Sequence, residues 1–220
     1  MTDLRVLPDA EAVARHAADA LAWRIGDARL HGEEVHIALA GGATPRRTYE
    51  LLAALEGSWE HVHLWLGDER CVPPQHPESN ARMVRESLYA HARAEPSTLH
   101  PVLMAEQPED AAWLYALEML EHVPGCVFDV VLLGMGPDGH TASLFPGHPG
   151  LDVSEAPCIS VRGAPKPPPE RITLTLPVLR RARHTLLVVT GAEKAGALAR
   201  ARAGDASVPI ALLGDGLDEI

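Results

Sequence analysis

Apolar and polar positions follow two rhythms along this chain. Short apolar, often β-branched runs read as buried strands over Val35–Ala40, Val62–Leu66, Phe128–Leu133 and Leu186–Thr190. Leu4–Leu7, Ile159–Arg162 and Ile172–Leu176 are shorter strand candidates, and Val208–Leu213 reads as a closing edge strand. Between the runs the spacing becomes helical. Pro8 and Asp9 can start a helix that carries Ala12, Ala17, Leu21 and Ile25. Further helices are expected over Pro45–Leu55, Ser79–Tyr89, Glu109–His122 and Glu193–Arg202, with a helical turn at Leu179–Arg183. Pro165–Pro169 predicts a rigid exposed loop. No internal repeat or long linker interrupts the pattern, so residues 1–220 read as one domain.

Strands alternating with helices predict an α/β fold: an open, mostly parallel sheet with helices on both faces, three layers in all. Ligands in such folds sit beyond the carboxyl ends of the strands. Four strand exits here carry polar or glycine-rich residues: Gly41 to Thr44, Gly67 to Arg70, Gly134 to Thr141, and Gly191 to Lys194. Their shared topological end predicts one crevice.

The first exit, Gly41-Gly42-Ala43-Thr44-Pro45, turns sharply into a helix whose amino end, backbone N–H groups and Thr44 hydroxyl suit an anion. The same residues also make an ordinary strand-to-helix turn with a Thr cap. The nucleoside-triphosphate loop and the dinucleotide glycine fingerprint are both absent. In the second, Asp68, Glu69 and Arg70 form either a structural charge cluster or a site in which Arg70 grips a phosphate and Asp68 orients a neighbour. The third presents Asp138 and His140, followed by Thr141 and Ser143, which read as opening a helix. Among twelve histidines, His140 alone stands in a glycine-rich strand exit, and it is the candidate general base. His16, His31 and His91 read as surface residues, and His61 and His63 as structural. Lys194 and Arg171, each taken alone, read as exposed cations; an anion in the crevice would employ both.

Charge and composition narrow the partners. A net charge of −11 argues against nucleic acid and anionic membranes, and makes any anion site a positive island in a negative field. The acidic start is unlike a signal peptide, and no apolar run approaches a membrane span. Three widely spaced cysteines suggest a reducing, cytoplasmic setting and no disulfide framework. Neither a metal-ligand spacing nor a GxSxG nucleophile elbow is present, so no metal and no acyl-serine is expected. The inventory suits base-assisted chemistry on a phosphorylated small molecule.

These blocks resemble the 6-phosphogluconolactonase family, within the glucosamine-6-phosphate isomerase/6-phosphogluconolactonase superfamily. The likeness rests on Gly41-Gly42-Ala43-Thr44-Pro45, on Gly67-Asp68-Glu69-Arg70 with Val72-Pro73 and Ser79-Asn80, on Gly134 through Gly147, on Arg171-Ile172-Thr173-Leu174-Thr175, and on Gly191 with Lys194. It implies a Rossmann-like fold of the glucosamine-6-phosphate deaminase/ribose-5-phosphate isomerase group. It also implies hydrolysis of 6-phospho-D-glucono-1,5-lactone without a cofactor, by a monomer or weak homodimer. In the deaminases Asn-Glu-Pro follows the Asp-Gly-His segment; Leu144-Phe145-Pro146-Gly147 stands there in this chain, which favours the lactonase. Ala40 and Ala43 stand where many relatives carry serine, so only backbone donors remain at those positions. On this reading His140 activates water, Asp68 or Asp138 orients the imidazole, and Arg70 and Lys194 hold phosphate with help from Gly41, Gly42, Ala43, Thr44 and Arg171.

Overall fold

The computed structural model describes residues 3–55, 57–92 and 98–220. A five-stranded parallel sheet forms the centre, in the order β4 (Thr98–His100), β2 (Val62–Leu66), β1 (Val35–Leu39), β5 (Val130–Gly134) and β8 (Thr185–Val188). All of β1 and β8 and nearly all of β2 and β5 are buried, which explains the continuous apolar runs. Helix α1 (Ala10–His31) starts where Asp9 accepts the Ala12 N–H at 2.8 Å and stops at Gly32, whose φ of 67° is left-handed. It packs along α2 (Ala43–Leu55), and the pair touches β8 and β5. Helix α4 (Pro108–His122) covers the opposite face of the sheet, and its Tyr115 hydroxyl accepts the Leu66 N–H at 2.7 Å. No described helix is long and apolar enough to cross a membrane.

The periodicity is silent about a second sheet. Strand β3 (Asp68–Arg70) pairs antiparallel with β7 (Arg171–Leu174), which pairs with β6 (Cys158–Val161). Asp68-Glu69-Arg70 is therefore both a strand exit and a strand. Other expectations are corrected. Leu4–Leu7 forms no strand; the neighbouring Asp3 makes only a single bridge, to Glu219. Val208–Leu213 falls largely in a 3-10 helix, Pro209–Gly216, because Pro209 lacks the N–H a ladder needs. Ser79–Tyr89 divides into α3 (Asn80–Val84) and a π-helical turn, Arg85–Tyr89. The expected turn at Leu179–Arg183 lies earlier, in α5 (Leu176–Arg181), and the last helix is a 3-10 turn, Ala192–Lys194, running into α6 (Ala195–Arg202). His16 is half-buried, 2.6 Å from Glu219.

One face of the sheet carries a largely buried row of histidines. His36 and His63 stack at 4.7 Å, His63 meets His100 at 3.1 Å, and His100 lies flat on Trp65 at 3.8 Å. Burial first, then His63, pushes His36 down to about 4 from an ordinary value of 6.5, against the opposing pull of Asp129 and Glu34. Burial also lowers His63, facing Glu34, and His100, whose Nδ1 lies 2.7 Å from Glu118. An unfolded chain protonates His36 near 6.5, whereas the folded chain resists until about 4, and His63 and His100 shift in the same direction, so acid favours unfolding. Stability is thus expected to fall as pH drops from about 6.5 towards 4. Urea midpoints at pH 7 and 4.5 check this; a level or rising midpoint contradicts it.

Candidate active site

The strand exits are tied together by side chains. The Tyr49 hydroxyl on α2 donates to the Ala40 carbonyl at 2.8 Å, which fixes the glycine turn after β1. The Thr44 and Thr190 hydroxyls meet at 2.7 Å and join that turn to the exit of β8. The Gly67 N–H donates to Leu39 O at 2.8 Å. Thr141 returns from the β5 exit to bond Gly134 O at 2.9 Å, and Ser143 Oγ donates to Asp68 Oδ2 at 2.6 Å. Both hydroxyls are spent on these ties, and no helix starts there: Thr141–Leu144 is a turn with Ala142 at φ 47°. Gly41 is glycine for lack of space, since a Cβ there would lie 2.3 Å from Asn80 Oδ1.

These exits enclose one cavity of about 690 Å³. It is lined by Gly41, Gly42, Ala43, Thr44, Asp68, Arg70, His140, Arg171 and Lys194, which are nine of the ten residues singled out in the sequence. The tenth, Asp138, sits behind the imidazole, with Oδ1 2.5 Å from His140 Nδ1. The ring lies over Gly136, where any Cβ would collide with it. Burial works to raise the Asp138 carboxyl, but the His140 hydrogen bond and charge outweigh it and hold the group below its ordinary value. An ionised carboxylate only accepts, so Nδ1 carries the proton, and in the neutral ring this leaves the Nε2 lone pair free. Asp68 does not orient the ring, because its oxygens accept from Ser143 and, at 3.1 Å, from Asn80 Nδ2.

The acidic pair of the second exit divides sharply. Glu69, 2 % exposed, accepts from the Arg70, Asn80 and Ala81 N–H groups at 2.7, 2.7 and 2.8 Å and from Ser79 Oγ at 3.0 Å. Burial raises its carboxyl above the ordinary value, and those four bonds oppose the rise. It is a structural carboxylate that caps the start of α3. Arg70 donates from Nη1 to Glu78 O at 2.6 Å, while its buried Nε–H has no hydrogen-bond partner among the described residues. Arg171, 4 % exposed, donates to Pro168 O at 3.1 Å and Lys166 O at 2.9 Å, and its guanidinium lies 5.4 Å from the Phe145 ring centre.

Lys166, Glu78 and Thr190 also line the cavity and escaped the sequence reading. Lys166 lies inside the proline run, away from any strand exit, and Glu78 precedes a helix cap; neither has a local signal. Among the described residues no group of three His, Cys, Asp or Glu side chains could hold a metal ion.

A family model described as glucosamine-6-phosphate isomerases/6-phosphogluconolactonase matches residues 8–219. The 6-phosphogluconolactonase of Streptomyces coelicolor is 40% identical over 214 residues, covering 89% of this chain and 81% of that protein. That of Mycobacterium tuberculosis is 36% identical over 223 residues, covering 96% and 90%. Among solved structures, a 6-phosphogluconolactonase from Thermotoga maritima superposes with a TM-score of 0.88 at 27% identity, covering 100% of this chain and 98% of the other. A monomeric glucosamine-6-phosphate deaminase shares the fold, with a TM-score of 0.84 at 20% identity, over 99% and 95% of the two chains.

Proposed function

This chain belongs to the glucosamine-6-phosphate isomerase/6-phosphogluconolactonase family, and from that premise we propose that its cavity hydrolyses 6-phospho-D-glucono-1,5-lactone to 6-phosphogluconate, the second step of the oxidative pentose phosphate pathway. The observation that carries the reading is the His140–Asp138 couple, set in a cavity lined by Arg70, Lys166, Arg171 and Lys194. The reaction takes place within one such domain, residues 1–220, in the cytoplasm, in a monomer or weak homodimer.

His140 Nε2 takes a proton from water as the water oxygen bonds to C1. The carbonyl electron pair moves onto oxygen, giving a tetrahedral oxyanion. Collapse restores the C=O bond and breaks the bond from C1 to the ring oxygen. The imidazolium returns its proton to that oxygen, which becomes the C5 hydroxyl, and the new carboxylic acid loses a proton to solvent. Asp138 stabilises the transient imidazolium. A lactone is an activated ester, so no organic cofactor enters the reaction.

Lys194 and the N–H groups at the start of α2 hold the phosphate, which is alike in ground and transition states. Lys194→Ala is therefore expected to raise KM about tenfold or more with kcat little changed. A kcat loss at constant KM would remove Lys194 from the phosphate. The activity itself is checked by following freshly generated lactone against its spontaneous hydrolysis, with glucosamine 6-phosphate as the control. Acceleration of lactone loss without deamination is expected; deamination without lactone loss overturns the reading.

A further inference from the structure

Cations reach the cavity from two poles of the fold. One lies where the start of α2 meets the β8 exit through the Thr44–Thr190 bond, and it contains Lys194. The other lies on the small sheet and its loop, with Arg70, Arg171 and Lys166. In the sheet, β1 and β5 lie between β8, which leads to Lys194, and β2, which leads to Arg70. One phosphate occupies one pole; the reaction creates a second negative charge, on the C1 oxygen and then in the product carboxylate.

The imidazole belongs to the second pole. The His140 ring packs on Phe145 at 4.7 Å, Phe145 lies under the Arg171 guanidinium at 5.4 Å, and Arg171 holds the Lys166 carbonyl at 2.9 Å. The guanidinium commits most of its donors locally: Nε to Pro168 O, Nη2 to Lys166 O, and Nη1 lies 3.5 Å from Ser143 Oγ. Arg70 lies 3.7 Å from the Glu78 carboxylate as well as bonding its carbonyl. Lys166 differs from both. Its ammonium makes no ion pair among the described residues, and it is the one ionisable residue in the run Pro165–Pro169. Proline on either side restricts its backbone, and Arg171 pins the carbonyls of Lys166 and Pro168. The pinned backbone keeps this cation at the cavity wall before charge develops, within reach of a site where electrostatic stabilisation of a transition state would use it.

We propose that Lys166 contacts the lactone end of the substrate and stabilises the oxyanion that forms at C1, with Arg171 as the residue that positions its loop. The inference rests on the lactonase reading and adds which pole serves which anion.

The test compares the wild type with Lys166→Ala and Lys166→Arg by steady-state lactone hydrolysis, with inorganic phosphate as a competitive inhibitor of each. Because Lys166 is on an exposed loop, the Lys166→Ala loss should fall at or below the low end for oxyanion donors, about 10–100-fold in kcat. KM and the phosphate inhibition constant should stay within about twofold, and Lys166→Arg should recover most of the rate. Parallel rises in KM and the inhibition constant at unchanged kcat would assign Lys166 to the phosphate and overturn the proposal. Wild-type kinetics in Lys166→Ala would reduce it to a surface lysine, also overturning it. A wild-type enzyme that binds phosphate yet hydrolyses no lactone would instead defeat the underlying reading of function.

Discussion

Replacing His140 with Asn is expected to lower kcat about 10²–10⁴-fold while the chain stays folded. The substitution removes the lone pair that takes the water proton. The backbone of the turn is held independently, by Gly136 N–H to His140 O at 2.9 Å and Gly139 N–H to Gly136 O at 2.9 Å. Parallel measurement of kcat and thermal unfolding separates the two effects. A variant with near-wild-type kcat removes His140 from the chemistry, whatever its stability.

Glu69→Ala should act in the opposite manner, on the fold before the reaction. It strips the partner from three backbone N–H groups and one hydroxyl, all near the buried start of α3. Leaving such donors unsatisfied costs about 3 kcal/mol or more, a fall in Tm of roughly 6–12 °C for a chain of this size. The damage also reaches the cavity. Asn80, whose N–H Glu69 holds, donates to both the carbonyl and the carboxylate of Asp68 and fills the space beside Gly41. Calorimetry on the variant checks the magnitude; an unchanged Tm contradicts the structural role given to Glu69.

The strand exits were legible in the sequence because buried parallel strands announce themselves as apolar runs, and the residues after them are polar by contrast. Asp138 and His140 stood out together for a related reason, since both lie in one turn, but the turn alone left Asp68 open as the partner of the ring. The second sheet was not legible. Asp68–Arg70 is short and charged, and it becomes a strand only through pairing with Arg171–Thr173, about a hundred residues later. The different duties of Asp68 and Glu69 were hidden for the same cause, since they depend on Ser143, Ser79 and Asn80 arriving from elsewhere. Thr141 and Ser143 looked like helix caps because their hydroxyls suit that role; tertiary partners claimed them instead. Arg171 looked like an exposed cation at a strand start, yet it is buried and holds the loop that carries Lys166.

The central claim is that water, activated by His140, attacks C1 directly. A single turnover in H₂¹⁸O with enzyme in excess over lactone tests it. Direct attack places ¹⁸O in the C1 carboxylate of the first product formed. Product that keeps only ¹⁶O in the first turnover would mean that an enzyme carboxylate, such as Asp68 in the cavity lining, had attacked C1 first, and the mechanism given to His140 would be wrong.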